Sequence, residues 1–106
     1  MTTRNNLASL CGHLGNLAEA VRAFSELVTD LHRILGPEHP QTLIARNNLA
    51  LWRGRAGDAT GATQAFVELL TDQHRILGPE HPHTPVTQRN FEYWRARATP
   101  PADANA

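Results

Sequence analysis

Most of this chain is written twice. Aligned without a gap at an offset of 42, positions 4–40 and 46–82 agree at 23 of 37 places. The stretch from His32 to Pro40 returns letter for letter as His74 to Pro82. Arg4-Asn5-Asn6-Leu7-Ala8 returns as Arg46-Asn47-Asn48-Leu49-Ala50, and Trp52 returns as Trp94. Self-similarity at a fixed period of this size marks a repeat architecture. Each copy is one supersecondary unit that cannot bury its apolar face alone, and stacking the copies builds a continuous core.

Within each copy the apolar spacing is helical. Leu7, Leu10, Cys11 and Leu14 define a first helix at about 3–14. Gly15 ends it, Asn16 caps the next helix, and Glu19 completes a capping box. That second helix, 17–35, carries Leu17, Ala20, Val21, Phe24, Leu27, Val28, Leu31, Ile34 and Leu35 as one apolar stripe. Gly36 and Pro37 stop it, and two prolines stiffen the loop Pro37-Glu38-His39-Pro40. Thr42 is the expected cap of a third helix at 43–56, and Gly57-Asp58 repeats the Gly15-Asn16 turn. A fourth helix, 59–77, follows with poorer residues: Val21 becomes Thr63, Leu31 becomes Gln73 and Glu19 becomes Gly61. It is expected to be the less stable of the two long helices. Thr84 then caps a fifth helix, 85–98, with Pro85 in its first turn, where proline is tolerated.

Connections of a residue or two force neighbouring helices antiparallel. The expected fold is therefore all-α: a short solenoid of two and a half helical hairpins in one domain, 1–98, with units 1–40, 41–82 and 83–98. Ala8 and Ala50 recur where small residues let helices approach, and Phe24 and Phe66 recur where a large one fills the hairpin. Residues 99–106 are expected to form a disordered tail.

Composition narrows the partners. Ten arginines balance ten acidic residues, so the formal charge is zero. That argues against nucleic acid or an anionic membrane, which need a positive field. The absence of lysine points to GC-rich, bacterial coding. A single cysteine, Cys11, rules out an internal disulfide and fits a reducing cytoplasm. Met1-Thr2-Thr3-Arg4 leads into polar asparagines, not the apolar run of a secretory signal. No apolar run approaches the ~20 residues of a membrane helix.

Chemistry has little to work with. The six histidines raise a metal site, Glu80-His81-Pro82-His83 most of all, but no Cys/His set at zinc spacing exists. His39 and His81 belong to the repeated loop and are expected to bond nearby backbone. Cys11 sits on an apolar stripe as a small core residue, and Ser9 and Ser25 lack a nucleophile-elbow context. No enzyme activity, metal or cofactor is expected.

Gly15, Ala20 and Phe24, with Gly57, Ala62 and Phe66, are spaced as in tetratricopeptide repeats. The 42-residue period, the Asn-Asn-Leu-Ala string and Leu-Gly-Pro-Glu-His-Pro-x-Thr resemble the longer variant found in kinesin light chains. That variant is also abundant in the C-terminal arrays of bacterial nucleotide-binding regulatory ATPases of the NB-ARC/STAND type. The resemblance covers residues 3–98. The ATPase itself is absent, since a chain without lysine holds no G-x-x-x-x-G-K-[ST] loop. Glu92 stands where Ala8 and Ala50 stand, and Pro85 where Leu43 stands, so the third unit is degenerate, in the manner of a polar end cap.

The resemblance implies a protein-interaction module whose first helices line a concave face for an extended peptide or partner helix. Carried over by position, that face holds Asn5, Ser9, Gly12 and His13, then Asn47, Leu51, Gly54 and Arg55, then Arg89, Tyr93, Ala96 and Arg97. The peptide- or partner-binding set is Asn5, His13, Asn47, Leu51, Arg55, Arg89, Tyr93 and Arg97. Asparagine amides pair with a peptide backbone as donor and acceptor, or bridge neighbouring helices. The cationic residues favour an acidic peptide or a C-terminal carboxylate. Gly12 and Gly54 recur where something approaches closely, either a neighbouring helix or a ligand. Trp52 and Trp94 are expected to wedge between units, with Trp94 the better candidate for a partner anchor. The alternatives are self-assembly through exposed end helices, giving a homo-oligomer, and a trimmed remnant of a larger regulatory ATPase array.

Overall fold

The computed structural model describes residues 2–78 and 80–98, and in the first helix the side chains from Asn6 onward except that of Cys11. It contains α1 (Thr2–His13), α2 (Leu17–Ile34), α3 (Pro40–Arg55), α4 (Ala59–Ile76) and α5 (His83–Ala98), with no strand among the described residues. Each helix packs against the next in the chain, and α3 also meets α5. The expectation of a disordered tail at 99–106 lies outside the described residues.

The core forms in two sections, one per repeat. In the first, Ala20, Phe24, Leu27 and Leu31 of α2 are clasped by Ala8 of α1 and by Ala45 and Trp52 of α3. In the second, Ala62, Phe66 and Leu69 of α4 are clasped by Leu43 and Ala50 of α3 and by Trp94 of α5. Each even-numbered helix thus sits between two odd-numbered ones, and α3 faces both sections. Phe24 and Phe66 are fully buried, each contributing about 1.5–3 kcal/mol by its removal from water. Ala8 and Ala50 are buried where the close approach was expected.

Both long helices end the same way. The Gly36 N–H bonds back to the Leu31 carbonyl at 3.2 Å and the Gly78 N–H to the Gln73 carbonyl at 3.1 Å. The glycines adopt φ 96° and 87° to do so, a conformation that costs a side-chain-bearing residue energy.

Several local expectations are corrected. Thr42 does not cap α3. His39 does, its Nδ1 accepting the Gln41 N–H at 3.1 Å, with Pro40 opening the helix. Thr42 is instead buried inside the first turn, where its hydroxyl donates to the Gly36 carbonyl at 2.8 Å. Thr84 does the same to Gly78 at 3.0 Å, and α5 begins at His83, ahead of it. A threonine that reaches back across a proline loop to the preceding helix end is spent on that clasp and cannot cap. His81 accepts the His83 N–H at 3.2 Å, so both loop histidines bond nearby backbone as expected. Only half of the capping box forms: Asn16 accepts from the Glu19 N–H at 3.4 Å, while the Glu19 carboxylate takes Arg22 instead. The apolar stripe of α2 also runs past the core, since Ile34 and Leu35 are exposed. On α1, Leu7, Leu10 and Leu14 face outward, at 58%, 52% and 77% exposure, because Ala8 and Gly12 are the residues turned inward.

Candidate binding groove

The odd-numbered helices are locked side by side through glycine and tryptophan. A methyl group on Gly12 would lie 2.6 Å from the Trp52 ring, and one on Gly54 2.5 Å from the Trp94 ring. The close approach anticipated at these glycines is therefore made by a neighbouring helix. Both indoles are buried, at 4% and 6% exposure. Trp94 is thus a wedge between α3 and α5, and not an exposed anchor. Its Nε1–H nevertheless finds no acceptor among the described residues.

Along the seam between α3 and α5 lie two open cavities. One, of about 290 Å³, is lined by Leu51, Arg55, Asn90, Tyr93 and Trp94. The other, of about 190 Å³, is lined by Ile44, Asn47, Gln73, His83, Val86 and Thr87. Between them Asn90 Nδ2 donates to Asn47 Oδ1 at 3.3 Å, joining the two helices.

Of the residues expected to bind a partner, Leu51, Arg55 and Tyr93 come together in the larger cavity, and Asn47 lines the smaller one. Asn47 is also a helix bridge, the other role open to it. Arg97 lies over the ring of Tyr93, a lining residue of the same cavity, its Cζ 3.6 Å from the centroid. His13 stands edge-on to Trp52 at 5.2 Å, next to the preceding seam, and Arg55 lies over that same indole at 4.9 Å. Arg89 is exposed on α5 and lines neither cavity. The Asn5 side chain, like that of Cys11, lies outside the description. Six lining residues went unmarked for binding: Asn90, Ile44, Gln73, His83, Val86 and Thr87. Asn90 was detectable, because Asn6, Asn48 and Asn90 stand at the same place in successive units.

Charge is sorted by layer although the chain is neutral. On α3 and α5 six arginines (Arg46, Arg53, Arg55, Arg89, Arg95 and Arg97) face one acid, Glu92. On α2 and α4 three arginines, Arg22, Arg33 and Arg75, face five acids. The ion pairs draw on acids of the even-numbered helices and the loop between units: Arg33–Asp30, Arg75–Asp72, Arg75–Glu38 and the half-buried Arg46–Asp72 at 2.8 Å. Among the described residues Arg55, Arg89 and Arg97 have no acidic partner. Nor does any group of three or more His, Cys, Asp or Glu side chains converge there as a metal site would require. No helix among them is long and apolar enough to cross a membrane.

Known proteins fit this geometry. No curated protein sequence matches the chain. Among solved structures it is similar to the nearly identical TPR-like repeats of a Podosopora anserina kinesin-light-chain candidate. The TM-score is 0.85 and the identity 23%, over 92% of this chain and 46% of that one. A variant form of the same protein matches equally. This chain thus spans about half the length of those relatives, and at that identity the likeness speaks for the fold alone. A tetratricopeptide repeat family model matches residues 1–72. With its paired helices, its glycine–tryptophan seams and its buried Ala-Phe pairs, the chain belongs to the tetratricopeptide repeat family.

Proposed function

We propose that this chain is a protein-interaction module that lays a peptide or partner segment along the α3–α5 seam. The observation that carries this is the pair of adjoining cavities on that seam, the larger lined by Arg55, which has no acidic partner among the described residues. Tetratricopeptide repeats serve protein–protein interaction as a class, which fits a groove with no clustered catalytic groups. An acidic segment suits it best. Arg55 lines the larger cavity, Arg97 lies over Tyr93, and the buried Trp94 N–H has no acceptor among the described residues. A buried donor left unmade costs about 1–3 kcal/mol, which a ligand carboxylate or carbonyl would recover. The reading places residues 1–98 as one recognition unit. It sets that unit in a reducing cytoplasm, on the strength of the lone cysteine, and makes it a non-catalytic scaffold.

Asn47→Ala combined with Arg55→Ala is expected to abolish pull-down of the partner while lowering the melting temperature by only a few degrees. Asn47 does contribute a helix-bridging bond, worth about 1 kcal/mol. Arg55→Glu, which leaves that bond alone, is therefore expected to lose binding equally. Binding lost only where the fold is lost would sink the reading.

A second reading, self-association, rests on α1. Leu7, Leu10 and Leu14 are exposed, whereas Leu49 and Trp52, the counterparts of Leu7 and Leu10, pack into the core cluster around α2. A second copy would cover that face. Sedimentation of the purified chain decides it: a clean monomer at high concentration removes the idea, and Leu10→Glu should dissolve any oligomer.

A further inference from the structure

The smaller cavity has a floor that the repeat did not require. Gln73 stands where the first copy has Leu31, which is 1% exposed and packs in the core. Gln73 is just as buried, at 2%, yet its Oε1 has no hydrogen-bond partner among the described residues. A buried acceptor without a partner destabilises, and the neighbouring unit has the apolar residue that avoids it. The side chain lines an open cavity of about 190 Å³ on the candidate groove, large enough for a small polar group.

We propose that this cavity is a subsite for a primary carboxamide, the side chain of a glutamine or asparagine in the bound segment. The inference rests on the groove reading above and supplies its specificity. The lining offers an acceptor without a partner among the described residues, Gln73 Oε1, and a donor, since Asn47 accepts from Asn90 through Oδ1 and keeps its Nδ2 for another partner; the His83 imidazole is a further polar group in it. A carboxamide is the side-chain group that gives a donor and an acceptor together in one plane. Ile44 and Val86 supply apolar walls for its faces. A carboxylate has no hydrogen for Gln73 Oε1. An ammonium group would be desolvated against a lining that holds no carboxylate. A hydroxyl can donate to Gln73 Oε1 and accept from Asn47 Nδ2, but it leaves most of the volume unfilled.

The test is a titration of the full chain, read from the side-chain amide signals of Gln73 and Asn47 in nitrogen–proton correlation spectra. The probes are the N-acetyl N′-methylamides of glutamine, glutamate and alanine. The glutamine probe is expected to shift both signals saturably, weakly as befits so few atoms, and the other two to leave them in place. Gln73→Leu, which restores the residue of the first copy, is expected to raise the melting temperature by several degrees. In that variant the Asn47 response to the glutamine probe should weaken at least tenfold. An equal response to the alanine probe would mean that the site reads main chain, and overturns the proposal. So does a response that survives Gln73→Leu, or no saturable response at all. If Arg55→Glu loses the partner while Gln73→Leu keeps it, the subsite fails and the groove stands. If Arg55→Glu keeps the partner, the groove itself fails.

Discussion

A methyl group on Gly54 would meet the Trp94 ring at 2.5 Å, and one on Gly12 the Trp52 ring at 2.6 Å. Glycine in a helix interior ordinarily costs ~1 kcal/mol relative to alanine, so Gly→Ala in open helix stabilises. Here the indole is buried on the other side and has nowhere to retreat. Gly54→Ala should therefore destabilise, by about 1–3 kcal/mol as overpacked cores do. Urea unfolding reads the sign directly, and a gain in stability would show that the ring can move. The recurrence of these glycines was visible in the sequence, but not what they touch. The contact joins residues of different repeats, and no spacing within one helix encodes it.

At the level of elements, the loop between units works as a clasp. His39 caps α3, Thr42 reaches back to Gly36, and His81 with Thr84 repeats both bonds at the second loop. Thr42→Val keeps the shape but removes the donor to Gly36. It should cost about 1–2 kcal/mol, whereas the same change at exposed Thr29 should stay within ~0.5 kcal/mol. Thermal unfolding of the two variants checks this; equal effects would mean the clasp is idle. The motif Leu-Gly-Pro-Glu-His-Pro-x-Thr was evident as a repeated string. The division of labour within it was not, because threonine is an ordinary cap and histidine is not, and only the path of the chain through the prolines gives the cap to His39.

For the whole molecule, stability should follow position in the stack. Each helix packs against its chain neighbours, with α3 alone facing both core sections. In so one-dimensional an array the ends open before the middle. Hydrogen exchange should find α3 and the Phe24 and Phe66 turns best protected, and α1, with Leu7, Leu10 and Leu14 outward, among the first to open. Uniform protection from end to end would contradict this. The same layering sorts the charge. A chain with no net charge presents arginines that have no acidic partner among the described residues on its odd-numbered helices, while the other layer carries more acids than arginines. Composition alone had suggested no field at all.

Period, helix number, hairpin pairing and the buried Phe24 and Phe66 were determined by sequence alone, because near-identical copies must fold alike and can bury their apolar stripes only against each other. The make-up of the candidate groove was decided by tertiary structure. Asn90 meets Asn47, Trp94 fills the space over Gly54, and Gln73 floors a cavity only because α5 settles beside α3 at one particular distance. Trp94 with Gly54 beneath it sets that distance. It is a matter of side-chain volume between residues far apart in the chain, where hydrophobic pattern carries no information.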